Sequence, residues 1–456
     1  MHVVILGAAG RDFHDFNTVF RDDPGATVVA FTATQIPGID GRTYPASLAG
    51  SRYPEGIPIR AEAELEEIVD REAVDEVVLC YSDLSHLDVM HTASRVLATG
   101  ADFRLIGPKA SMLDSVKPVV AVCAARTGCG KSQTTRKVAE LLIDSGLSVV
   151  LIRHPMPYGD LEAMRVQRFA SLADIDAANP TIEEREEYEA PVAMGMVMYA
   201  GVDYAQILAQ AELEADVIIW DGGNNDYPFV RPDVHITVVD PLRVGHEVSY
   251  HPGETNVRMA DIVVVNKVDV AGLAAVTEVL GNVDRVNPTA TIVQAASPTR
   301  LDEGPSLEGA RVLVVEDGPT ITHGGMPFGA GTTAARLAGA ASFVDPRPIA
   351  VGSIAATFAA YPDIGAVLPA MGYSAAQVAD LEATIRAADC DVVVSGTPID
   401  LGRLIEPRHP LRQVTYSLEE VGSPTLRNVL APDIARWLEA ADERRGDPGG
   451  SEVARG

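Results

Sequence analysis

Lysine is nearly absent from this chain. Only five of its 36 basic residues are lysines, and 64 acidic residues give it a net charge of −28. So acidic a surface repels other polyanions, which argues against nonspecific nucleic-acid binding. An anionic substrate would have to be met by a local cluster of cations. The composition favours an acidic proteome of the halophile type, with a GC-rich genome as the alternative, since arginine replaces lysine in both.

Paired cysteines and long apolar runs are also missing. The four cysteines, Cys80, Cys123, Cys129 and Cys390, are scattered and form no CxxC pair, so we expect neither a zinc site nor a disulfide framework. No apolar run approaches the ~20 residues that span a bilayer, and Met1 is not followed by a basic leader. We therefore expect a cytoplasmic protein in a reducing setting, with no membrane partner.

Short runs rich in valine and isoleucine alternate with helix-like segments along most of the chain. Such runs are typical of parallel strands covered by helices on both faces, so the predicted class is α/β. The runs are Val3–Leu6, Val28–Phe31, Glu76–Cys80, Val119–Cys123, Val149–Ile152, Val217–Trp220, Ile236–Val239, Ile262–Val265, Val312–Val315 and Val392–Val394.

A chain of 456 residues is too long for one ordinary core. We predict a Rossmann-like N-terminal domain over 1–116 and a P-loop NTPase (G) domain with a parallel sheet over 117–300. A C-terminal α/β unit over 301–445 and a disordered tail over 446–456 follow. The boundary near residue 300 stays open, because later strands could extend the P-loop sheet. The turn after the first strand lacks the full dinucleotide fingerprint, so we expect a scaffold without NAD.

Residues 125–132 read Ala-Arg-Thr-Gly-Cys-Gly-Lys-Ser, between an apolar run and a helix-like stretch. This is the frame of a phosphate-binding loop, whose backbone N–H groups surround phosphate oxygens at a helix N-terminus. Lys131 would reach the β- and γ-phosphates, and Ser132 would ligate Mg²⁺. Cys129 is interpreted as a small filler. The predicted nucleotide contacts in this segment are Arg126, Thr127, Gly128, Cys129, Gly130, Lys131, Ser132 and Gln133.

Two further strand ends carry polar residues. Asp221 follows the run Val217–Trp220 and precedes two glycines, which favours a role in holding Mg²⁺ or orienting water; an ordinary turn is the alternative. Asn266-Lys267-Val268-Asp269 follows Ile262–Val265. The Asp269 carboxylate can accept from N1–H and the 2-amino group of guanine, which adenine lacks, so we expect GTP rather than ATP.

Several cations follow the strand next after the P-loop helix. Arg153 and His154, with Arg165 and Arg168 further on, are candidates to hold a second anion, and Asp160 to assist the metal. Surface solvation and loop capping are the alternatives. The glycine-rich stretch 322–331 enters a helix-like segment, and we interpret it either as a carrier of phosphate or carboxylate or as a crossover loop. Asn224, Asn225 and Asp226 are candidates for a switch-like loop.

Six segments together resemble a family of archaeal and bacterial predicted GTPases with a P-loop. They are residues 7–14, 126–134, 153–161, 220–226, 266–269 and 322–327. The chain is also distantly similar to cyclic 2,3-diphosphoglycerate synthetase, a P-loop enzyme that uses ATP. The resemblance implies that Gly130, Lys131 and Ser132 carry phosphate and Mg²⁺. It also implies that Asn266, Lys267 and Asp269 select guanine.

These motifs predict a Mg²⁺-dependent P-loop nucleoside triphosphatase that hydrolyses GTP. Lys131, Asp221, Arg153 and His154 are its predicted catalytic residues. One alternative is a phosphotransferase or synthetase, driven by ATP or GTP, in which Arg153, His154, Arg165 and the 323–331 loop bind a small anionic phosphorylated acceptor. Another is a noncatalytic GTP switch or chaperone. A homodimer is a further open expectation.

Overall fold

The structure, a computed structural model, describes residues 1–8, 10–34, 41–154, 159–223, 226–370, 375–398, 400–406 and 408–446. Its strands are β1 His2–Leu6, β2 Thr27–Ala33, β3 Thr43–Tyr44, β4 Ile57–Ala61, β5 Glu76–Leu79, β6 Leu84–Ser85, β7 Asp102–Leu105, β8 Val119–Ala124, β9 Val149–Arg153, β10 Val166–Phe169, β11 Val197–Gly201, β12 Val217–Asp221, β13 Val234–Val239, β14 Tyr250–His251, β15 Ile262–Val265, β16 Thr291–Ala296, β17 Thr299–Leu301, β18 Arg311–Asp317, β19 Ser342–Phe343, β20 Leu368–Ala370, β21 Val392–Ser395, β22 Leu411–Tyr416 and β23 Glu419–Glu420.

The helices are α1 Arg11–Asp15, α2 Ala46–Ala49, α3 Leu65–Arg71, α4 His86–Ala98, α5 Pro108–Ser111, α6 Lys131–Asp144, α7 Leu172–Ala178, α8 Ile182–Ala193, α9 Tyr204–Glu214, α10 Gly253–Met259, α11 Leu273–Val286, α12 Gly318–Ile321, α13 Ala330–Leu337, α14 Gly352–Ala360, α15 Ala375–Ala387, α16 Leu401–Leu404 and α17 Leu426–Gly446. A π-helical turn spans Phe16–Phe20, and 3₁₀ turns span Glu62–Glu64, Pro241–Arg243, His246–Val248 and Arg347–Ile349. No described helix is long and apolar enough to cross a membrane.

Three large sheets and one two-stranded sheet, β14-β6, organise the described residues. The N-terminal sheet has the strand order β3-β4-β2-β1-β5-β7, parallel except for β3. The nine-stranded P-loop sheet has the order β10-β11-β9-β12-β8-β13-β15-β16-β23 and is parallel between its antiparallel edges β10 and β23. The ten apolar runs predicted as strands are all strands, and the α/β class with parallel sheets is confirmed.

The strands of the third large sheet come, in sequence, between β16 and β23 of the P-loop sheet. Its core order is β17-β22-β21-β18-β19, with β20 also paired to β18. After β22 the chain returns, and β23 pairs with the end of β16, Ala296 opposite Glu419. Helix α17 then packs Leu426, Leu430 and Trp437 into the core of the P-loop sheet. The range 301–445 predicted for one unit is therefore divided between two sheets, and residues 447–456 of the predicted tail lie outside the described residues.

Candidate functional site

The predicted phosphate-binding loop joins the central strand β8 to helix α6. Gly128 and Gly130 have φ angles of 80° and 105°, in the left-handed region that favours glycine. A side chain at Gly130 would overlap the amide groups of Asn266 and Gln133. Glycine is therefore required at 130 both by its backbone conformation and by the residues that close over it.

Asp221, at the end of β12, is the counter-ion of two buried cations. Lys131 and Thr135 donate to its Oδ1, Thr135 at 2.9 Å, and Arg153 Nη1 donates to its Oδ2 at 2.6 Å. Burial opposes ionisation most strongly, yet the charges of Arg153 and Lys131 lower the pKa of Asp221 to about 2. Burial and then Arg153 lower the pKa of Lys131, although Asp221 raises it. The predicted metal carboxylate is thus bound to cations in this arrangement.

The predicted base-reading segment contacts the P-loop directly. Asn266 Nδ2 donates to the carbonyl oxygen of Cys129 at 2.8 Å, and Lys267 Nζ donates to that of Gly128 at 2.6 Å. The Asp269 carboxylate accepts from the backbone N–H of Ser297 at 3.1 Å. The structure therefore brings both predicted nucleotide segments together at one sheet edge.

Cys129 packs inward from the P-loop. Burial above all raises the pKa of its thiol, to about 11, although the nearby Arg243 lowers it. A thiol with so high a pKa is neutral near pH 7, which agrees with its interpretation as a filler.

The side chain of Arg126 bridges three parts of the chain. Its Nε donates to Asp83 Oδ1 at 2.6 Å, and its Nη2 donates to the carbonyl oxygen of His323 at 3.0 Å. The guanidinium lies 3.6 Å from the centre of the Tyr250 ring and 2.5 Å from His246 Nδ1. These contacts join the N-terminal unit, the P-loop sheet and the C-terminal sheet.

His154 belongs to a buried pair. Its Nδ1 lies 2.9 Å from Asp226 Oδ2, and both side chains are almost fully buried. Arg11 of the N-terminal unit lies 3.9 Å from the other oxygen of Asp226. This short distance is an ion-pair contact, because His154 Nδ1 makes no hydrogen bond to any described residue. Residues 155–158, 224 and 225 lie outside the described residues, so the predicted switch-like loop is represented only by Asp226.

Two predicted residues lie away from this cluster. Asp160 Oδ1 accepts from the backbone N–H groups of Glu162 and Ala163 at 2.9 and 3.3 Å, as a turn cap. Arg165 Nη2 donates to the carbonyl oxygen of Ser47 at 3.0 Å, toward the N-terminal unit. Neither residue lines the cavity described below.

The 322–331 loop does not offer a free anion site at the start of α13. The Glu316 carboxylate accepts from the backbone N–H groups of Gly329, Gly331 and Thr332 at 2.9, 3.0 and 2.7 Å. These donors would otherwise be available to a phosphate or carboxylate. The expectation of an anion at this helix terminus is therefore corrected, because a carboxylate of the chain itself occupies it.

A cavity of about 550 Å³ joins the P-loop to the C-terminal sheet. This volume is typical of small-molecule sites. The lining residues on the P-loop side include Arg126, Thr127, Gly128, Gly130, Lys131, Ser132, Gln133, Arg153, His154, Asp221 and Lys267. The lining residues on the opposite side include Asp317, Thr320, Met326, Phe328, Gln413 and Tyr416.

Sequence reasoning missed several acidic residues of this region. Asp240 directly follows β13, accepts from Lys267 Nζ at 2.8 Å and lies 3.2 Å from Arg243. Glu187 of α8 lies 2.7 Å from Arg153. Asp240 and Asp317 each end an apolar run, as Asp221 does, and this signal could have revealed them. Asp83 and Glu187 carry no such pattern.

Comparisons with known proteins identify a nucleotide-binding domain. Residues 209–294 match the CobW/HypB/UreG nucleotide-binding domain, a segment that contains Asp221 and Asn266–Asp269. Over 94% of this chain and 96% of the other, the sequence is 58% identical to arginine synthetase ArcE of Thermococcus kodakarensis. Over 57% of this chain and 62% of the other, it is 22% identical to cyclic 2,3-diphosphoglycerate synthetase of Thermococcus sibiricus. The second match confirms that predicted distant similarity.

One solved structure is a weak overall match. LpxK from Aquifex aeolicus, crystallised in complex with ATP, superposes with a TM-score of 0.41 and 13% identity. The superposition covers 82% of this chain and 99% of that one.

Proposed function

The chain belongs to the same family as the Thermococcus kodakarensis arginine synthetase ArcE, and from this premise we propose that it is a nucleotide-dependent synthetase with arginine as its product. The synthetase alternative from the sequence is thereby favoured over simple GTP hydrolysis. Its acceptor is a small molecule held between the P-loop and the C-terminal sheet.

The single observation that carries the proposal is the continuous cavity between the P-loop and the C-terminal sheet. A hydrolase needs room for nucleotide and water, whereas a synthetase must hold a second substrate within reach of the γ-phosphate. Lys131, Arg153 and His154 all line this cavity. The γ-phosphoryl group would therefore meet the acceptor beside three nitrogen-bearing side chains.

In the proposed site the nucleotide draws Lys131 from Asp221 to the β- and γ-phosphates. Arg153 stays paired with Asp221 and Glu187, and it neutralises charge on the transferred group. Mg²⁺ would be held by the Ser132 hydroxyl and Asp221, oxygen donors of the kind it prefers. No three described His, Cys, Asp or Glu side chains converge as a metal cage, so phosphate oxygens would complete its coordination. Bound Mg²⁺ would neutralise phosphate charge.

The chemistry follows from the proposed product. The terminal carbon of arginine bears three nitrogens, so its final bond would be a C–N bond formed where an oxygen leaves. Transfer of the γ-phosphoryl group to that oxygen breaks the Pβ–O–Pγ bridge and creates a leaving group. An amine then displaces phosphate, which gives arginine, nucleoside diphosphate and phosphate. The His154–Asp226 pair is placed to take the amine proton.

The nucleotide is proposed to be GTP, with ATP as the alternative. The contacts of Asn266 with Cys129 and of Asp269 with Ser297 support a preformed guanine pocket. Lys267, which lies between Asn266 and Asp269 in sequence, lines the cavity.

The reaction can be tested in reverse without knowledge of the precursor. Purified protein is incubated with Mg²⁺, labelled inorganic phosphate, GDP or ADP, and L-arginine, and label in the γ-position of the triphosphate is measured. We expect label only when arginine is present. Lys131→Ala should reduce it by at least about 1,000-fold, because the cation that meets the transferred group is lost.

Lys137→Ala, on the same helix α6 as Lys131, serves as the matched control and should retain activity. Absence of label with both diphosphates, combined with GTP hydrolysis that arginine does not affect, would instead favour a plain GTPase. Slow turnover that rises only with a protein partner would favour the switch alternative.

A further inference from the structure

One wall of the cavity is rich in hydrogen-bond acceptors and lies beside the P-loop, since the Thr320 side chain packs against Gly128. Asp317 ends β18, and its Oδ2 accepts from the Thr320 backbone N–H at 3.2 Å and from the Thr320 hydroxyl. Glu187 faces the same cavity from helix α8, and one of its oxygens pairs with Arg153 at 2.7 Å. The carboxylates of this wall can therefore accept hydrogen bonds from N–H groups of a ligand.

Two uncharged side chains of the same wall hold polar atoms that lack a partner. Gln413 Nε2 donates to the Thr397 carbonyl at 2.6 Å, but its buried Oε1 meets no donor among the described residues. The buried hydroxyl of Thr299, which also lines the cavity, has no described partner. A buried acceptor without a donor is costly, so a ligand N–H group would be stabilising here once the Gln413 amide turns toward it.

The P-loop side of the cavity has the opposite charge. Lys131, Arg136 and Arg153 all line it. Arg153 is only 3% exposed, and its Nε finds no acceptor within the described part of the chain. The carboxylates therefore complement the nitrogen-rich end of a ligand, and the pairing of Glu187 with Arg153 places that end beside the cations proposed to meet the γ-phosphate.

We propose that Asp317, Glu187 and Gln413 form the subsite for the cationic, reacting end of a basic amino acid, beside the Arg153 guanidinium. The inference rests on the proposed synthetase function, and it assigns to the C-terminal sheet the recognition of the amino-acid substrate or product. Asp317 is the specificity-determining carboxylate, because Glu187 is already shared with Arg153.

The electrostatics of the wall agree with this assignment. Burial raises the pKa of Asp317; the hydrogen bonds from Thr320 oppose the rise and the charge of Glu187 adds to it. A bound guanidinium or ammonium would relieve the repulsion between the two carboxylates. Met326 and Phe328 supply apolar surface on the same wall for a methylene chain.

The test is calorimetric titration of L-arginine into full-length protein in the presence of Mg²⁺ and nucleoside diphosphate. Asp317→Asn is the informative variant, because asparagine also caps a helix and so preserves α12 while removing the charge. We expect arginine binding to weaken by about 10-fold or more. Binding of a fluorescent nucleotide should change less than about 2-fold, since the oxygen of asparagine can still accept from the Thr320 N–H and hydroxyl that pack beside the P-loop.

The matched control is Asp363→Asn, at an exposed position of the same unit, which should leave arginine binding unchanged. Agmatine, which keeps the guanidinium but lacks the carboxylate, should lose affinity on Asp317→Asn as arginine does. Norleucine, which lacks the guanidinium, should bind weakly to the unmodified protein. Glu187→Gln should not weaken this binding further.

Equal arginine affinity in the unmodified protein and the Asp317→Asn variant would overturn this subsite while leaving the proposed synthetase intact. Loss of arginine binding in Asp317→Asn, with no arginine-dependent phosphate labelling in the unmodified protein, would support the subsite and overturn the synthetase. Absence of arginine binding to the unmodified protein would overturn both.

Discussion

Asp269 is the residue proposed to select the base. Its carboxylate is exposed at the P-loop sheet edge and accepts from Ser297 N–H at 3.1 Å, while the neighbouring Asn266 is fully buried against Cys129. Asparagine in place of Asp269 keeps one acceptor and adds a donor that opposes N1–H of guanine. We expect Asp269→Asn to weaken GTP by roughly 10- to 100-fold and ATP little.

Competition of GTP and ATP against one fluorescent nucleotide measures this difference. Asp284→Asn, on the same side of the sheet in helix α11, is the control. Equal losses for both nucleotides would contradict guanine selection by Asp269.

Some of these side-chain positions follow from the sequence and others do not. Lys131, Arg153 and Asp221 belong to the ends of three neighbouring parallel strands or the turn after one, and such ends meet at one sheet edge. Ala125 and Thr127, the neighbours of Arg126, say nothing about Asp83, 43 residues earlier in the chain, because that contact depends on how two units pack. Tertiary partners of this kind carry no local pattern.

Strand β13 carries a buried titratable group that makes stability depend on pH. His235 is 2% exposed, and neither ring nitrogen has a partner among the described residues. Burial lowers its pKa from 6.5 to about 4. Between these values the unfolded chain binds a proton that the folded chain excludes, so stability is present above pH 6.5 and is lost as the pH falls toward 4.

We expect the buried His235 to lower the free energy of unfolding by about 2 kcal/mol when the pH falls from about 7.5 to about 5. In His235→Leu this part of the pH dependence should be gone, as measured by urea unfolding at both pH values. Taking the difference between the two proteins cancels the contribution of acids such as Glu316, whose raised pKa acts in the opposite direction. If the difference in unfolding free energy between the two proteins is the same at both pH values, His235 is protonated in the folded state at the lower pH.

The hydrophobic pattern of the sequence does not predict the positions of strand β23 and helix α17. The apolar runs locate the long strands because burial on both faces leaves little choice of composition. Strand β23 contains only Glu419 and Glu420, and its pairing with Ala295 and Ala296 is set by position rather than by hydrophobicity. The apolar face of α17 indicates a helix but not the sheet that it covers. The return of the chain to the P-loop sheet therefore could not be read from composition.

The contacts of Arg126 hold the three units in one arrangement. Asp83 and Arg126 form a buried pair at 2.6 Å, with side chains 7% and 4% exposed. Removal of one charge from a buried pair commonly costs about 3 kcal/mol or more, since the other charge stays unpaired. In Asp83→Asn we expect amide hydrogen exchange in the segments 246–251 and 322–326 to accelerate on the order of 100-fold.

Hydrogen exchange followed by mass spectrometry measures this effect, with Asp70→Asn on the exposed face of α3 as the control. Acceleration confined to residues near Asp83 would mean that Arg126 does not couple the C-terminal sheet to the rest of the molecule.

The C-terminal sheet leaves and rejoins the P-loop sheet at adjacent points, because β17 pairs with β22 and Ala296 lies opposite Glu419. A short reverse turn between those two residues would close the chain without disturbing any strand that carries a phosphate contact. The segment between these two residues is therefore an insertion in the P-loop sheet. Under the proposed function, its replacement would change the acceptor side of the cavity while the P-loop sheet keeps its geometry.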